Sequence, residues 1–202
     1  MAPIWVAFEG GEGSGKSTQA RLLAARLGAE VTREPGGTLI GERIRSVLLD
    51  PAVGGFDARA EALLMAADRA QHVAERVGPA LRAGRLVVSD RSAYSSLAYQ
   101  GYGRGLGVEA VRSLCAWATG GLWPDVAILL DVPHAVSAQR MKEPPDRMEA
   151  AGPAFHESVA AGFRALASAE PDRWLVVDGT GAVDEVAEEV ASALDRWIGG
   201  RA

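Results

Sequence analysis

The sequence predicts an α/β fold in which five parallel strands form one sheet with helices on both faces. Short runs of β-forming residues alternate along the chain with segments of helical periodicity. Strands that alternate with helices require parallel crossover connections, which place helices over the sheet. The chain has 202 residues, of which 48% are hydrophobic and 23% charged, values typical of one globular domain. We therefore expect a single domain spanning residues 1–202.

Four apolar runs and one short stretch, Glu30-Val31-Thr32, predict the strands of this sheet. Each run is short and is followed by glycine, proline or charged residues, which is typical of strands between turns. The run with the most continuous apolar character is 126–131, which indicates a fully buried strand. The predicted strands are 4–8, 30–32, 86–90, 126–131 and 174–178.

Helices are predicted where apolar residues recur at spacings of three and four. The first ends at Gly28, and Asp50-Pro51 stops the second because proline cannot continue a helix. Pro79 is expected to begin a fresh turn, and Pro144-Pro145 interrupts the helix that precedes it. The predicted helices are 19–27, 40–49, 58–77, 80–83, 91–99, 108–118, 135–141, 155–166 and 183–198.

Charge and cysteine content limit the classes of partner and compartment. With 21 basic and 26 acidic side chains the formal net charge is −5, which argues against broad nucleic-acid binding. No apolar run approaches the roughly 20 residues that span a bilayer. The only cysteine, Cys115, is expected to be a core thiol in a reducing compartment. Because the N-terminus also lacks a signal-peptide pattern, we expect a cytoplasmic protein that binds neither nucleic acid nor membrane.

The segment between the first strand and the first helix has the spacing G-x-x-x-x-G-K-S. In that context a glycine-rich loop curls its backbone N–H groups around phosphate oxygens at a helix N-terminus. Lys16 can reach the β- and γ-phosphates, and Ser17 can offer its hydroxyl to Mg²⁺. The predicted ATP phosphate-binding residues are Gly10, Gly11, Glu12, Gly13, Ser14, Gly15, Lys16, Ser17 and Thr18.

Polar residues also follow the predicted strand 86–90. Asp90 at its end can hold Mg²⁺ together with the loop serine, and Arg91 can neutralise an acceptor phosphate. A helix over 91–99 would place residues four apart on one face. A phosphate-binding loop alone fits GTPases, ATPase motors and small-molecule kinases. The polar residues after strand 86–90 are therefore needed to identify the acceptor. The side chains on or beside this polar face are Arg91, Ser95, Ser96, Tyr99 and Gln100.

Several stretches resemble, in order, the motifs of thymidylate kinases, which phosphorylate dTMP to dTDP with ATP. The most specific is D-R-x-x-x-S-S-x-A-Y-Q, which begins at Asp90 and ends at Gln100. The other matching stretches are 8–13, 32–38, 41–45, 67–72, 99–105 and 146–149. The resemblance covers essentially the whole chain and implies a P-loop kinase fold, a small mobile lid at about 140–152 and a homodimer. Apolar helix faces such as that of 58–77 could supply the dimer contact.

The resemblance also implies an acceptor site. Arg45 and Arg91 would grip the dTMP phosphate, and Glu12 would contact the region of the sugar 3′-hydroxyl. Arg69 would donate to a thymine carbonyl. Met65 stands where the family commonly has phenylalanine, so a thioether would cover the base in place of a stacked ring. The implied dTMP-binding residues are Glu12, Arg33, Glu34, Arg45, Met65, Arg69, Arg91, Ser95, Ser96, Tyr99 and Gln100.

The lid is expected to complete the donor site, and residues 181–183 lie where members of the family border adenine. Gly13 occupies a loop position where one branch of the family carries a catalytic arginine, which implies the bacterial-type branch, in which the lid supplies this charge. The lid cations are Arg140, Lys142 and Arg147, and Arg147 or Arg140 would meet the transition-state charge. The implied catalytic residues are Lys16, Arg91, Glu12, Arg147 and Arg140, with ATP as the donor and with Mg²⁺ on Ser17 and Asp90.

Two other interpretations stay open. Another nucleoside monophosphate kinase, or a deoxynucleoside kinase, would share both the loop and the fold. A non-catalytic P-loop nucleotide-binding protein would keep the loop, but it would need neither the acceptor arginines nor the lid cations. The acceptor that supports ADP release would distinguish these classes.

Overall fold

The structure is a computed structural model that describes residues 3–141 and 144–201. Lys142, one of the lid cations expected from the sequence, lies outside the described residues. Within the described ranges, no helix combines the length and apolar character needed to cross a membrane.

One five-stranded parallel sheet organises the chain, as the sequence predicts. The strands lie in the order β2-β3-β1-β4-β5, and each pairs in parallel with its neighbours. The central strand β1 is buried along its whole length, in keeping with its run of apolar residues. The strands are β1 Trp5–Glu9, β2 Glu30–Arg33, β3 Val87–Asp90, β4 Val126–Asp131 and β5 Trp174–Asp178.

Helices cover both faces of the sheet. On one face, α1 and α9 bury a cluster that includes Phe8, Ile128 and Leu194. On the other face, the chain around α5, α6 and α8 buries a cluster that includes Tyr94 and Phe163. The helices are α1 Lys16–Leu27, α2 Leu39–Leu49, α3 Ala58–His72, α4 Gly78–Arg82, α5 Ala93–Ser96, α6 Val108–Thr119, α7 His134–Arg140, α8 Pro153–Ala169 and α9 Val183–Gly199.

Short 3₁₀- and π-helical segments complete the fold. The 3₁₀ turns are Pro51–Val53, Glu149–Ala151 and Pro171–Arg173, and the π-helical segments are Val73–Val77 and Leu97–Gly103. Val73–Val77 joins α3 directly to α4, whose first turn contains Pro79. Pro79 therefore lies in the first turn of a new helix, as the sequence predicts, because proline is tolerated in a first helical turn.

Two of the helices that begin away from the predicted residue do so for a clear local reason. The helix α1 begins at Lys16 and not at residue 19, because Gly15 adopts a left-handed conformation and caps the helix inside the loop. The helix predicted for 91–99 begins only at Ala93. Arg91 has a φ of 72° and therefore lies outside the helix, and Ser92 caps it by accepting from the Tyr94 N–H.

The strand register brings the polar ends of three strands together. Phe8 of β1 pairs with Asp90 of β3, and Arg33 of β2 pairs with Asp90 from the other side. The C-terminal ends of parallel strands meet at one edge, and ligands of open α/β sheets bind there. The glycine-rich loop after Glu9 starts from the same edge. The mobility of the lid at about 140–152 stays a prediction.

Candidate active site

The loop Gly10–Thr18 closes tightly over the N-terminus of α1. Gly10, Gly13 and Gly15 have φ values of 137°, 70° and 96°, a region that favours glycine. A Cβ atom at Gly10 would lie 2.7 Å from the Leu130 carbonyl oxygen, and one at Gly13 would lie 2.5 Å from that of Ser137. The backbone can therefore approach a ligand closely, and the packing against α7 leaves no room for a side chain at Gly13.

Lys16 lies across this loop. Its Nζ donates to the Gly11 carbonyl oxygen at 2.6 Å and contacts the Ser14 hydroxyl at 3.3 Å. Burial, followed by the nearby Arg91 guanidinium, lowers the pKa of Lys16. The ammonium group is thus placed on the inner side of the loop, where anionic phosphate would compensate its desolvation.

Ser17 and Asp90 bring two hard oxygen ligands together. Ser17 in the first turn of α1 donates its hydroxyl proton to Asp90 Oδ2 at the end of β3. Carboxylate and hydroxyl oxygens suit Mg²⁺, which usually retains waters and phosphate oxygens as its other ligands. The donor set therefore fits the Mg²⁺ site expected from the sequence.

A large cleft runs along the loop and has a volume of about 1020 Å³. This volume is ample for a nucleotide, since small-molecule sites usually enclose about 300–1000 Å³. Its wall combines the phosphate-binding loop with the segment between β5 and α9, which contains the residues 181–183 that the family resemblance places beside adenine. Among its lining residues are Glu12 to Arg21, Arg33, Glu34, Arg45, Asp90, Arg91, Arg140, Gly181, Ala182 and Val183.

Arg91 links the loop to the chain that follows β3. Its Nη1 donates to the Gly10 carbonyl oxygen and to the Ser95 hydroxyl, both at 3.0 Å. Its Nη2 pairs with Glu12 and donates to the Tyr99 hydroxyl at 3.0 Å, while Tyr99 donates to Glu12 at 2.9 Å. The left-handed backbone of Arg91 lets its side chain reach Ser95 and Tyr99 without sharing their helix.

The charges in this cluster fix the protonation of its members. Burial alone would raise the pKa of Glu12, but Arg91, Lys16 and the Tyr99 hydroxyl lower it to about 2. Burial raises the pKa of Tyr99 well above its usual range. At neutral pH, Glu12 is therefore an anion, and Tyr99 keeps its proton as a hydrogen-bond donor.

Arg69 is buried and almost fully hydrogen-bonded. Its Nε donates to Glu34 at 2.8 Å, its Nη1 to the Ser96 hydroxyl at 3.0 Å and to the Cys115 sulfur at 3.3 Å. Its Nη2 donates to the Ser92 carbonyl oxygen at 3.1 Å. Since a guanidinium group has five N–H donors, one Nη2 proton is left for a ligand. His72 contacts the other Glu34 oxygen at 2.8 Å, so that carboxylate is held from two sides.

A small second cavity adjoins the cleft and collects the expected acceptor residues. Ten of the eleven residues implied for dTMP line it. The exception is Arg33, which pairs with Glu42 at 2.8 Å and lines the larger cleft. The ten are Glu12, Glu34, Arg45, Met65, Arg69, Arg91, Ser95, Ser96, Tyr99 and Gln100.

Comparisons with known proteins identify the family of the chain. A protein-family model described as thymidylate kinase matches residues 8–190 of the chain. The chain belongs to the thymidylate kinase family. The thymidylate kinase of Desulfovibrio desulfuricans is 44% identical over 96% of each chain. That of Cutibacterium acnes is 48% identical over 94% of this chain and 95% of the relative.

A solved structure agrees as well. The crystal structure of thymidylate kinase from Ehrlichia chaffeensis matches with a TM-score of 0.81 at 30% identity, over 96% of this chain and 100% of that chain. Together these matches confirm the predicted thymidylate kinase family, the parallel five-stranded α/β fold and the predicted activity, the phosphorylation of dTMP to dTDP.

The two lid arginines of this thymidylate kinase family member have different surroundings. Arg140, at the end of α7, donates to the carbonyl oxygens of Gly179 at 2.9 Å and Thr180 at 3.1 Å, and it lines the large cleft. Arg147 pairs with Glu61 of α3 at 2.7 Å and donates to the Leu48 carbonyl oxygen at 2.7 Å. Of these two arginines, Arg140 alone lines the large cleft.

Sequence reasoning missed two buried carboxylates beneath the site. Glu9 accepts from the hydroxyls of Ser92 at 2.6 Å and Ser95 at 2.5 Å, and burial raises its pKa to about 7. Glu61 contacts residues from the π-helical segment and from the lid. An acid inside an otherwise apolar strand, or on the apolar side of a helix, was the available signal. Cys115 is buried, as predicted.

Proposed function

We propose that this member of the thymidylate kinase family transfers the γ-phosphoryl group of ATP to dTMP, giving dTDP and ADP. ATP would occupy the large cleft, and dTMP would occupy the adjoining cavity. One observation carries this arrangement: Glu12, Glu34, Arg45 and Arg91 line both cavities. Donor and acceptor phosphates would meet at this shared wall, beside the ion pair of Arg91 and Glu12.

The donor side rests on the loop Gly10–Thr18. Its backbone N–H groups and the N-terminus of α1 would bind phosphate oxygens, and Lys16 would neutralise charge on the β- and γ-phosphates. Arg140 is the lid cation that we assign to the transferred group, because it already lines the cleft. Arg147 would contribute only if the lid moved it away from Glu61.

The acceptor side rests on arginines whose geometry is set by other residues. Arg91 would attract the dTMP phosphate by its charge, and Arg45 would assist from α2. Because the Nη groups of Arg91 donate to Gly10, Ser95, Glu12 and Tyr99, a hydrogen bond from either Nη to the phosphate would replace one of these contacts. Burial lowers the pKa of Arg45, and Arg33 lowers it further, so an anion beside Arg45 would offset an unfavourable environment. Met65, Arg69, Ser96 and Gln100 would surround the base.

The chemistry needs positioning and charge neutralisation more than proton transfer. A nucleoside monophosphate is already an anion at neutral pH, so no general base is required for attack on the γ-phosphorus. Lys16 and Arg91 would face the transferred group from opposite sides. The negative charge that spreads over its oxygens would then meet cations that are fixed before the reaction begins.

Ser17 and Asp90 would hold a Mg²⁺ ion. When bound, the ion would neutralise charge on phosphate oxygens and orient them. The hydrogen bond between these two side chains places their oxygens side by side.

We also propose a homodimer that uses the outer face of α3. Leu63 on that face has 60% of its surface exposed, and Ala67, one turn further on, is also exposed. Trp117 of the neighbouring helix α6 is 83% exposed. Burial of these apolar groups between two copies would lower the free energy of association. The cytoplasmic location stays a prediction.

The function is tested with a coupled assay of ADP release from ATP in the presence of dTMP, dUMP, UMP, dCMP, AMP or thymidine. We expect the highest kcat/KM with dTMP. A preference for thymidine would identify a deoxynucleoside kinase, and a preference for another monophosphate would identify a different nucleotide kinase. ATP binding without acceptor-dependent ADP release would identify a non-catalytic nucleotide-binding protein.

A further inference from the structure

Glu61 is a buried carboxylate that lies behind the acceptor cavity and does not line it. The residue is 1% exposed, and among the described residues its carboxylate forms hydrogen bonds or ion pairs with Gln100, Arg104 and Arg147. Its Oε1 accepts from Gln100 Nε2 at 3.0 Å and from Arg104 Nε at 3.1 Å. Its Oε2 accepts from Arg104 Nη2 at 3.1 Å and pairs with Arg147 Nη1 at 2.7 Å. Both carboxylate oxygens are therefore held by two donors each.

The two arginines keep Glu61 ionised. Burial alone would raise its pKa, but the hydrogen bonds from Arg104, Gln100 and Arg147 lower it. An ionised carboxylate can only accept hydrogen bonds. The NH₂ end of the Gln100 amide must therefore face the Glu61 carboxylate.

This requirement fixes which end of the Gln100 amide faces the cavity. Gln100 is buried and lines the cavity, and its Nε2 is committed to Glu61. Rotation of the amide by half a turn would place its oxygen against the carboxylate and leave a buried anion facing another acceptor. The Gln100 Oε1 atom is therefore the end of the amide presented to a base.

The cavity thus offers one donor and one acceptor with fixed polarity. Arg69 has one remaining Nη2 proton, because its other N–H groups are bonded to Glu34, Ser96, Cys115 and Ser92. Gln100 offers an acceptor. A pyrimidine with a 4-oxo group and an N3–H matches this pattern, whereas cytosine has a donor at the 4-position and an acceptor at N3.

We propose that Glu61 is a positioning residue for base selection: it orients the Gln100 amide so that the site accepts the 4-oxopyrimidine edge of dTMP and rejects cytosine. The inference rests on the proposed function, since it requires that dTMP occupies this cavity. Glu61 acts through Gln100 and does not touch the base.

Glu61→Gln is the informative substitution because the arginines dictate how the new amide lies. Two arginine groups, Arg104 Nη2 and Arg147 Nη1, face Oε2 in the wild-type chain, whereas Oε1 faces one, Arg104 Nε, beside Gln100. The oxygen of the new amide would therefore lie on the Oε2 side, and Arg104 Nε would lose its acceptor. Its NH₂ group would then replace Oε1 and face Gln100. Gln100 would turn its oxygen to meet that donor and would present its own NH₂ group to the base.

The experiment measures kcat/KM for dTMP, dUMP and dCMP in the wild-type chain, in Glu61→Gln and in Glu109→Gln. Glu109 on α6 is a matched control, since its side chain is 90% exposed. A site that hydrogen-bonds its substrate discriminates strongly against an analogue that leaves buried groups unpaired, so the dTMP-to-dCMP ratio should fall at least about 10-fold in Glu61→Gln. The dTMP-to-dUMP ratio should stay within about twofold, because both bases share the edge that Gln100 faces.

Each outcome has a defined meaning. An unchanged dTMP-to-dCMP ratio in Glu61→Gln, or an equal loss of activity on all three nucleotides, would overturn the inference and leave Glu61 with a structural role alone. If Glu61→Gln does not fold, Glu61→Gln combined with Arg104→Gln carries the same test, because it removes one charge of each sign. A wild-type chain that phosphorylates none of the three would overturn the proposed function itself.

Discussion

Arg91 and Glu12, which are 79 positions apart in the sequence, form an ion pair where the donor cleft meets the acceptor cavity. The Tyr99 hydroxyl contacts both partners, accepting from Arg91 at 3.0 Å and donating to Glu12 at 2.9 Å. The arginine that we assign to the acceptor phosphate is therefore already oriented before a nucleotide binds. Preorganisation of this kind lowers the cost of fixing the acceptor for in-line attack.

Lys16→Ala should lower kcat by about 10²-fold or more, because the variant loses a cation fixed beside the phosphates. The coupled assay measures kcat, and thermal unfolding checks that the fold is retained. Arg26→Ala is the control, since Arg26 lies at the far end of the same helix and is half exposed. Near-normal turnover in Lys16→Ala would refute its assignment.

Arg91→Ala should weaken dTMP binding by at least about 10-fold, because it removes a buried cation beside the position we assign to the phosphate. Thymidine, which has no phosphate, should bind the variant and the wild-type chain alike. Titration calorimetry with both ligands measures the difference, with Arg112→Ala as the control because Arg112 pairs with Glu170 instead. An equal loss for dTMP and thymidine would show that Arg91 supports only the fold of the cavity.

Met65→Phe should lower the KM for dTMP by about two- to tenfold, since an aromatic ring stacked on the base adds to the contact area. Met65→Ala should raise it. The KM for ATP should be the same in both variants, because Met65 lines only the acceptor cavity of the two. A higher KM for dTMP in Met65→Phe would show that the cavity has no room for the ring.

Glu9 should make the protein less stable as the pH rises towards neutrality. Burial raises its pKa from 4.5 to about 7, so the folded chain binds this proton more tightly than the unfolded chain. Its contribution to the free energy of unfolding is therefore full below about pH 4.5 and is lost as the pH rises through about 7.

Glu9→Gln replaces the carboxyl group with an amide, which does not titrate, so this residue no longer contributes to the pH dependence of the free energy of unfolding. Between about pH 5 and 8, the free energy of unfolding of the wild-type chain should fall with pH more steeply than that of the variant. The difference between the two slopes corresponds to the release of up to about one proton from Glu9 on unfolding. Urea denaturation at several pH values measures both slopes, and the exposed Glu109→Gln serves as the control. Parallel curves for the wild-type chain and Glu9→Gln would contradict this expectation.

Leu63→Glu should shift the proposed dimer towards monomer, because it places a charge in an apolar contact. Sedimentation velocity at micromolar concentration measures the change. Val176→Glu, on the exposed side of β5, is the control, since Val176 is 57% exposed and lies in a different part of the fold. Identical sedimentation of Leu63→Glu and the wild-type chain would exclude this face of α3 as the interface.

Local patterns in the sequence were sufficient for the elements of the fold. Four of the five strands are short apolar runs, and each long helix has its own periodic stripe, so the parallel sheet followed from their alternation. The phosphate-binding loop followed in the same way, because its glycines, Lys16 and Ser17 are adjacent in the chain. The boundaries depended on local backbone conformation, since the φ of 72° at Arg91 moved one helix start by two residues.

The pairing of distant charges was decided by tertiary structure alone. Glu61 and Gln100 are 39 positions apart, and no periodicity relates them to each other or to Arg147. The sequence identified Arg140 and Arg147 as equivalent lid cations, whereas the fold places one beside the donor cleft and binds the other to α3. Adjacent residues determine local conformation, but the partner of a buried charge depends on which segments the folded sheet and helices bring into contact.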